Sequence, residues 1–104
     1  MNNYEWVVKF RNVNSNDLRR SDGSFTVGVT DLNQMSIFLC DRLKGNFLKK
    51  VLIHELVHAF MFSYNYHLTI EEEEFVCDFV ASNAEDILEY SKDILLQMKD
   101  RLYA

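Results

Sequence analysis

The chain has 104 residues, enough for one small domain spanning residues 1–104 but too few for a second independent core. Its hydrophobic content of 48% is typical of a folded globule and excludes a disordered tail. The net charge of −5 lacks the electrostatic footprint of a nucleic-acid binder, so we predict no nucleic-acid partner.

The first residues, 1–6, have neither the basic stretch nor the apolar core of a signal peptide. No run approaches the ~18 apolar residues of a membrane span. We therefore expect a cytoplasmic protein without a membrane partner. Cys40 and Cys77 lack C-x-x-C spacing, and we expect both to be reduced, buried and hydrophobic in character.

Three short strands are predicted in the first 40 residues. Tyr4, Trp6, Val8 and Phe10 alternate with polar residues, the pattern of a strand with one buried face. Residues 25–30 alternate again, and a turn leads to a third strand at 35–40. The short connections favour antiparallel pairing.

Helical patterns begin near residue 46. Asn46 is a candidate cap for a first helix over 47–63. Thr69 and Glu72 have the spacing of a capping box, so a second helix is predicted to begin at Thr69. The segment from Ser82 to Glu85 repeats this signal, which predicts a break and a third helix over 83–102.

The first helix contains H-E-x-x-H, formed by His54, Glu55 and His58. At about 3.6 residues per turn, positions i and i+4 lie one above the other, so both imidazoles can bind one metal ion. Zinc lowers the pKa of a bound water to about 7, and a neighbouring Glu55 can take the proton as general base. The alternative is a chance pattern in which both histidines are ordinary, partly buried residues.

A catalytic zinc usually takes three protein ligands, and the second helix offers candidates. Glu71, Glu72 and Glu73 lie in its first turn, where acids favour the helix dipole and face water. Glu74 begins the apolar part, with Asp78 one turn later on the same face. We predict that Glu74 binds zinc and that Asp78 accepts the free ring N–H of a ligating histidine. The alternative is that Glu74 is one more solvated acid.

Residues 54–58 and 74–81 together resemble the two motifs of small gluzincin metallopeptidases of the ImmA/IrrE type, whose second motif is close to E-x-x-A-[N/D]-x-F-A. The resemblance covers residues 28–81, with Cys77 and Val80 standing where the family often has alanine and phenylalanine. It implies that the zinc ligands are His54, His58 and Glu74 and that the general base is Glu55. The resemblance implies a cytosolic peptidase that cleaves a repressor or regulator. Many proteins of this type are carried by phages and mobile elements.

We therefore expect an α+β, zincin-like minimal domain in which a small antiparallel sheet packs on the active-site helix beside two further helices. The expected reaction is zinc-dependent hydrolysis of a peptide bond in a protein or peptide substrate. Tyr64 or Tyr66 is a candidate donor to the oxyanion, and the third strand a candidate edge for an extended substrate. The alternative function is a zinc-stabilised protein-interaction module with little or no turnover.

Overall fold

The computed structural model describes residues 5–102, which form an α+β fold of three strands and three α-helices. The elements are β1 (Val7–Arg11), a one-turn 3-10 helix (Asn16–Leu18), β2 (Gly28–Asp31), β3 (Ser36–Cys40), α1 (Gly45–Ser63), α2 (Ile70–Leu96) and α3 (Lys99–Leu102). The predicted strand position at Tyr4 lies outside the described residues.

The sheet is mixed, with strand order β1-β3-β2, so the predicted antiparallel sheet is wrong for one of its two pairings. β2 and β3 are joined by a short turn and pair antiparallel, whereas β1 and β3 pair parallel. The reason is that the long segment 12–27 carries the chain past β3 before β2 begins. Because β3 is paired on both sides, it has no free edge to offer a substrate.

The core lies between the sheet and α1. β3 is buried along its whole length, and the residues packed with it include Leu18, Leu43, Val51 and Ala59. α1 crosses β2 and β3, so β1 receives little cover from it. Val8 and Phe10 are consequently exposed, which corrects the predicted buried face of the first strand.

The start of α1 differs from the sequence prediction. The N-cap is Lys44, whose side chain makes no capping hydrogen bond, and Asn46 lies inside the helix. Gly45 begins the helix with a φ of 60°, in the left-handed region that glycine adopts readily. The end of the helix at Ser63 agrees with the prediction, and Trp6 Nε1–H donates to the Ser63 hydroxyl at 2.9 Å.

The predicted capping box of α2 is confirmed. The Thr69 hydroxyl accepts from the Glu72 N–H, and the Glu72 carboxylate accepts from the Thr69 N–H at 3.0 Å. Hydrogen bonding of the Glu72 carboxylate to the Thr69 backbone, and then to its side chain, holds the pKa of Glu72 below its ordinary value. The predicted break after Ser82 is wrong, because α2 runs unbroken to Leu96. The Asn83 side chain donates to Phe79 O within the same helix, at 2.9 Å, instead of capping a new one.

α1 and α2 form an antiparallel helical pair. Later residues of α1 meet earlier residues of α2, and Lys49 pairs with Glu85 at 3.0 Å. Beyond Glu85 the apolar side chains of α2 are exposed, among them Ile87, Leu88 and Leu96. Within residues 5–102, neither α1 nor α2 nor α3 combines the length and apolar character needed to cross a bilayer.

Candidate metal centre

The H-E-x-x-H residues lie on the side of α1 that faces β2 and α2. His54 and His58 lie one turn apart, with ring centroids separated by 5.1 Å. Glu55 is 8% exposed, which is low for a carboxylate. A buried carboxylate is costly unless it is hydrogen-bonded, so the partners of Glu55 decide how it is tolerated.

Thr30 on β2 supplies that partner. Its hydroxyl oxygen lies 2.9 Å from Oε1 and 2.9 Å from the main-chain oxygen of Glu55. The other carboxylate oxygen, Oε2, lies 4.0 Å from His54 Nε2. Thr30 therefore fixes the orientation of Glu55 and leaves one oxygen free to accept a proton.

Gly28 allows β2 to approach α1 this closely. A Cβ at this position would lie 2.8 Å from Val51 Cγ1 and 3.1 Å from Glu55 Cγ. The first distance is shorter than real Cβ contacts, so any larger residue would push the strand away from Glu55. Sequence reasoning did not single out Gly28 or Thr30, because their partners lie more than twenty residues away.

Glu74 of α2 faces both histidines. Its Oε2 lies 3.3 Å from His54 Nε2, and its Oε1 lies 2.9 Å from His58 Nε2. Zinc–ligand bonds of about 2.0–2.2 Å in a tetrahedron separate neighbouring ligand atoms by roughly 3.3 Å. Each of the two Glu74 distances is close to this ligand separation, with a different carboxylate oxygen facing each ring.

The opposite ring nitrogens contact two further carboxylates. His54 Nδ1 lies 3.0 Å from Asp78 Oδ1, and His58 Nδ1 lies 2.5 Å from Glu73 Oε2. The structure thus brings Asp78 to the position that the sequence predicted for it. The prediction that Glu73 faces water is wrong, since its side chain is only 19% exposed. Antiparallel packing of α1 and α2 would have identified Glu73, because it brings the later histidine, His58, next to the earlier acid.

This arrangement satisfies every ring nitrogen only if a cation or a second proton is present. A neutral imidazole has one N–H, and an ionised carboxylate can only accept. If Nδ1 of each ring donates to Asp78 or Glu73, then Nε2 of each ring presents a lone pair to the Glu74 oxygens. A metal ion between these atoms would remove the repulsion, and carboxylates behind the ligating rings are the usual partners of zinc-bound histidines.

Cys77 offers a second way to complete the ligand set. Its sulfur and one ring nitrogen each of His54 and His58 lie within 4.8 Å of one another, close enough to bind a metal ion. Both cysteines are free and buried, as predicted. Burial, together with nearby acids of which Glu74 acts most strongly, raises the pKa of the Cys77 thiol to about 12. The sequence had identified Cys77 only as a small buried hydrophobe.

The side chains of His54, Glu55, His58 and Glu74 line a cleft of about 820 Å³. One wall is β2 with the segment before it, and the other walls come from α1 and the beginning of α2. Tyr64 and Tyr66 do not line this cleft; both line an apolar groove along another face of α1, beside Phe60. Neither tyrosine is therefore in the position expected of an oxyanion donor.

Comparisons of the chain with protein-family models, with curated proteins and with solved structures found no match. The proposed function therefore depends on the fold and on the histidine–carboxylate cluster. The gluzincin resemblance remains an inference from the two motifs.

Proposed function

We propose that this protein is a zinc-dependent peptidase of the gluzincin kind, resembling the ImmA/IrrE type, that hydrolyses a peptide bond in a cytosolic regulatory protein. The single observation that carries this proposal is the position of Glu55. Its carboxylate is buried and held by Thr30 through Oε1, and its other oxygen, Oε2, lies 4.0 Å from His54 Nε2. A purely structural role for Glu55 would not explain why Oε2 lies beside a histidine of the candidate metal centre.

The chemistry of the donor set favours Glu74 over Cys77 as the third ligand. The Glu74 oxygens lie 2.9 Å from His58 Nε2 and 3.3 Å from His54 Nε2, and the Cys77 sulfur also lies close enough to the two rings to bind a metal ion. Two imidazoles and one carboxylate also form a common donor set of catalytic zinc. Asp78 and Glu73 would then orient the ligating rings and make them better donors.

When bound, zinc would polarise the scissile carbonyl and make water a stronger acid, with a pKa of about 7. The Oε2 atom of Glu55 would accept a proton from the attacking water as its oxygen adds to the carbonyl carbon. The same atom would then deliver the proton to the leaving amine as the C–N bond breaks. Thr30 keeps Glu55 in place through both transfers by holding Oε1.

The edge of β2 is the element that could bind an extended substrate. β2 is an edge strand, and residues 26–29 line the cleft. Cys40 N–H donates to Val27 O at 2.9 Å, so odd-numbered residues of β2 face β3. By the alternation of antiparallel ladders, the main-chain groups of Gly28 and Thr30 face the open edge. A peptide added there would lie beside Glu55.

The alternative, a zinc-stabilised interaction module, is favoured by a different observation. The outer half of α2 exposes several large apolar side chains, among them Ile87, Leu88, Tyr90 and Leu96. Exposed apolar surface of this extent is a feature of interaction sites. This apolar surface lies far from Glu55. An interaction module would therefore leave the fixed orientation of Glu55 unexplained.

The Glu55→Gln variant separates the two functions. The amide keeps the shape of the side chain but cannot accept the proton, so zinc content and melting temperature should persist while cleavage falls by at least ~100-fold. Glu89→Gln, an exposed acid of the outer α2, is the matched control. Each protein is incubated with cell extract, and fragments are compared by mass spectrometry. If wild type cleaves no protein in a zinc-dependent manner, the interaction module becomes the better function.

A further inference from the structure

Three cations line the metal-site cleft of this acidic chain: Arg19, Arg20 and Lys50. All three are exposed, and among residues 5–102 none has a carboxylate within the 4.0 Å of an ion pair. Arg11 and Lys49, by contrast, are both paired with acids. The cleft therefore presents unpaired positive charge next to the proposed reaction centre.

A hairpin-like turn places the two arginines. Arg20 N–H donates to Ser24 O at 2.7 Å, and Thr26 N–H donates to Leu18 O at 2.8 Å, just before β2. The Arg19 guanidinium lies over the Phe25 ring at 4.7 Å. Arg20 Nη2 donates to Thr26 Oγ1 at 3.3 Å. These contacts orient the guanidinium groups, and the exposed Asp22 in the same turn attracts Arg20 electrostatically without forming an ion pair.

The cations gather at one end of the cleft. Gly28 faces Val51 and Thr30 contacts Glu55, so β2 and α1 run in the same direction along the cleft. Lys50 and the arginine turn therefore lie toward the beginning of both elements. The acids Glu74 and Asp78 enter the cleft from α2.

We propose, resting on the peptidase function above, that this cationic end binds an acidic side chain on the carboxyl-terminal side of the cleaved bond. A peptide pairing antiparallel to β2 runs toward Gly28 and then Val27, so the residues after the bond reach the cations. Antiparallel pairs are the more common kind. The turn meets the strand at Phe25 and Thr26, four to five residues before the level of Thr30, which is roughly 14–17 Å at about 3.4 Å per residue.

Arginine suits this role because its planar fork binds a carboxylate through two parallel hydrogen bonds. Both arginines are solvent-exposed, so the preference should be moderate and should weaken at high salt. The substrate class is therefore a protein with aspartate or glutamate shortly after the cleavage point.

Cleavage specificity provides the first test. Wild type is incubated with a proteome-derived peptide library, and the residues around each cleaved bond are read by mass spectrometry. Acids should be enriched about 3- to 10-fold within the first five positions after the bond, the range of one or two screened ion pairs. The enrichment should vanish in Arg19→Gln/Arg20→Gln and persist at a lower level in Arg19→Lys/Arg20→Lys, which retains the charge but loses the paired hydrogen bonds.

A charge-matched variant controls for net charge. Arg42→Gln/Arg101→Gln removes two exposed arginines that do not line the cleft, and it should keep the wild-type preference. Cleavage by wild type without enrichment of acids would overturn the specificity proposal and leave the peptidase function intact. Enrichment that survives the glutamine variant would also overturn it.

Binding provides a readout that does not depend on turnover. A short dye-labelled peptide rich in glutamate and its glutamine counterpart are titrated into zinc-loaded Glu55→Gln protein, followed by fluorescence anisotropy. The glutamate peptide should bind about 3- to 10-fold more tightly, and Arg19→Gln/Arg20→Gln in the same background should abolish the difference. Equal binding of the two peptides, or tighter binding of a single-stranded oligonucleotide, would overturn the proposal whether or not wild type is a peptidase.

Discussion

The two walls of the candidate metal centre differ in how firmly the rest of the molecule holds them. On the α1 wall, the side chains of His54 and His58 are 20% and 14% exposed, and Glu55 is fixed by Thr30. On the α2 wall, the side chains of Glu74 and Asp78 are 50% and 71% exposed, whereas Glu73 against His58 is 19% exposed. The sheet supports the first wall from behind, whereas the second depends on how α2 docks.

This difference assigns separate tasks to the two helices. α1 presents the two histidines and Glu55, whose orientations depend on buried contacts. α2 supplies the carboxylates that complete the site, and a bound metal would join the two walls. Binding of a metal to the native state should therefore stabilise the docking of α2 as well as the site itself.

Removal of an α1 histidine should have the largest effect. Wild type is expected to carry near one zinc per chain, and His54→Ala or His58→Ala should abolish binding and lower the melting temperature, because the stabilising ligand is lost. Metal analysis and thermal unfolding measure both. His67→Ala, in the exposed loop after α1, is the control. Unchanged zinc content in both variants would refute the metal centre.

Substitution of Glu74 tests which residue of α2 completes the ligand set. Glu74→Gln should weaken zinc binding by more than ~100-fold, beyond the usual effect of residues that only support a ligand. Cys77→Ala should change the affinity by only a few fold. Competition with a zinc chelator gives both values, and the reverse result would assign the site to His54, His58 and Cys77.

The acids behind the histidines should have a smaller effect. Asp78→Asn and Glu73→Gln should each weaken zinc affinity by about 10- to 100-fold while preserving the fold. The less exposed Glu73 should show the larger loss, because its contact with His58 is better shielded from water. Glu71→Gln, an exposed first-turn acid, is the control in the same chelator assay. Equal affinities in all three variants would make these contacts incidental.

Gly28→Ala tests the support behind the α1 wall. The added Cβ overlaps Val51 and crowds Glu55, so the free energy of unfolding should fall by about 1–3 kcal/mol, the usual cost of overpacking. Cleavage should fall with little loss of zinc, because Glu55 moves and the histidines do not. Denaturant unfolding and metal analysis separate the two effects. A stable variant with wild-type cleavage would show that β2 does not position Glu55.

Thr69→Ala should have the smallest effect, because it acts only on the beginning of α2. Loss of the capping hydrogen bond should reduce stability by about 1 kcal/mol. The zinc affinity should fall modestly, since Glu73 and Glu74 lie in the first two turns of the helix. Ser82→Ala, within the same helix, is the control. An unchanged melting temperature would show that the metal-site contacts alone hold α2 in place.

The sequence was informative wherever a function depends on residues one helical turn apart. His54 and His58 share a face because any α-helix places i and i+4 together, and the same reasoning brought Glu74 and Asp78 to one face. The capping box at Thr69 is equally local and was predicted correctly. The second capping pattern, at Ser82, gave a wrong prediction of a helix break, because the Asn83 side chain can also donate a hydrogen bond within a continuing helix.

Only the tertiary structure decided what depends on distant partners. The central position of β3 follows from how residues 12–27 cross the sheet, and no local pattern encodes that path. The roles of Thr30 and Gly28 depend on how β2 is positioned along α1. The role of Glu73 depends on how α2 is positioned along α1. Local spacing thus determined which side chains could act together on one helix. Packing between elements determined which of them meet, because side chains far apart in sequence come together only when the whole core forms.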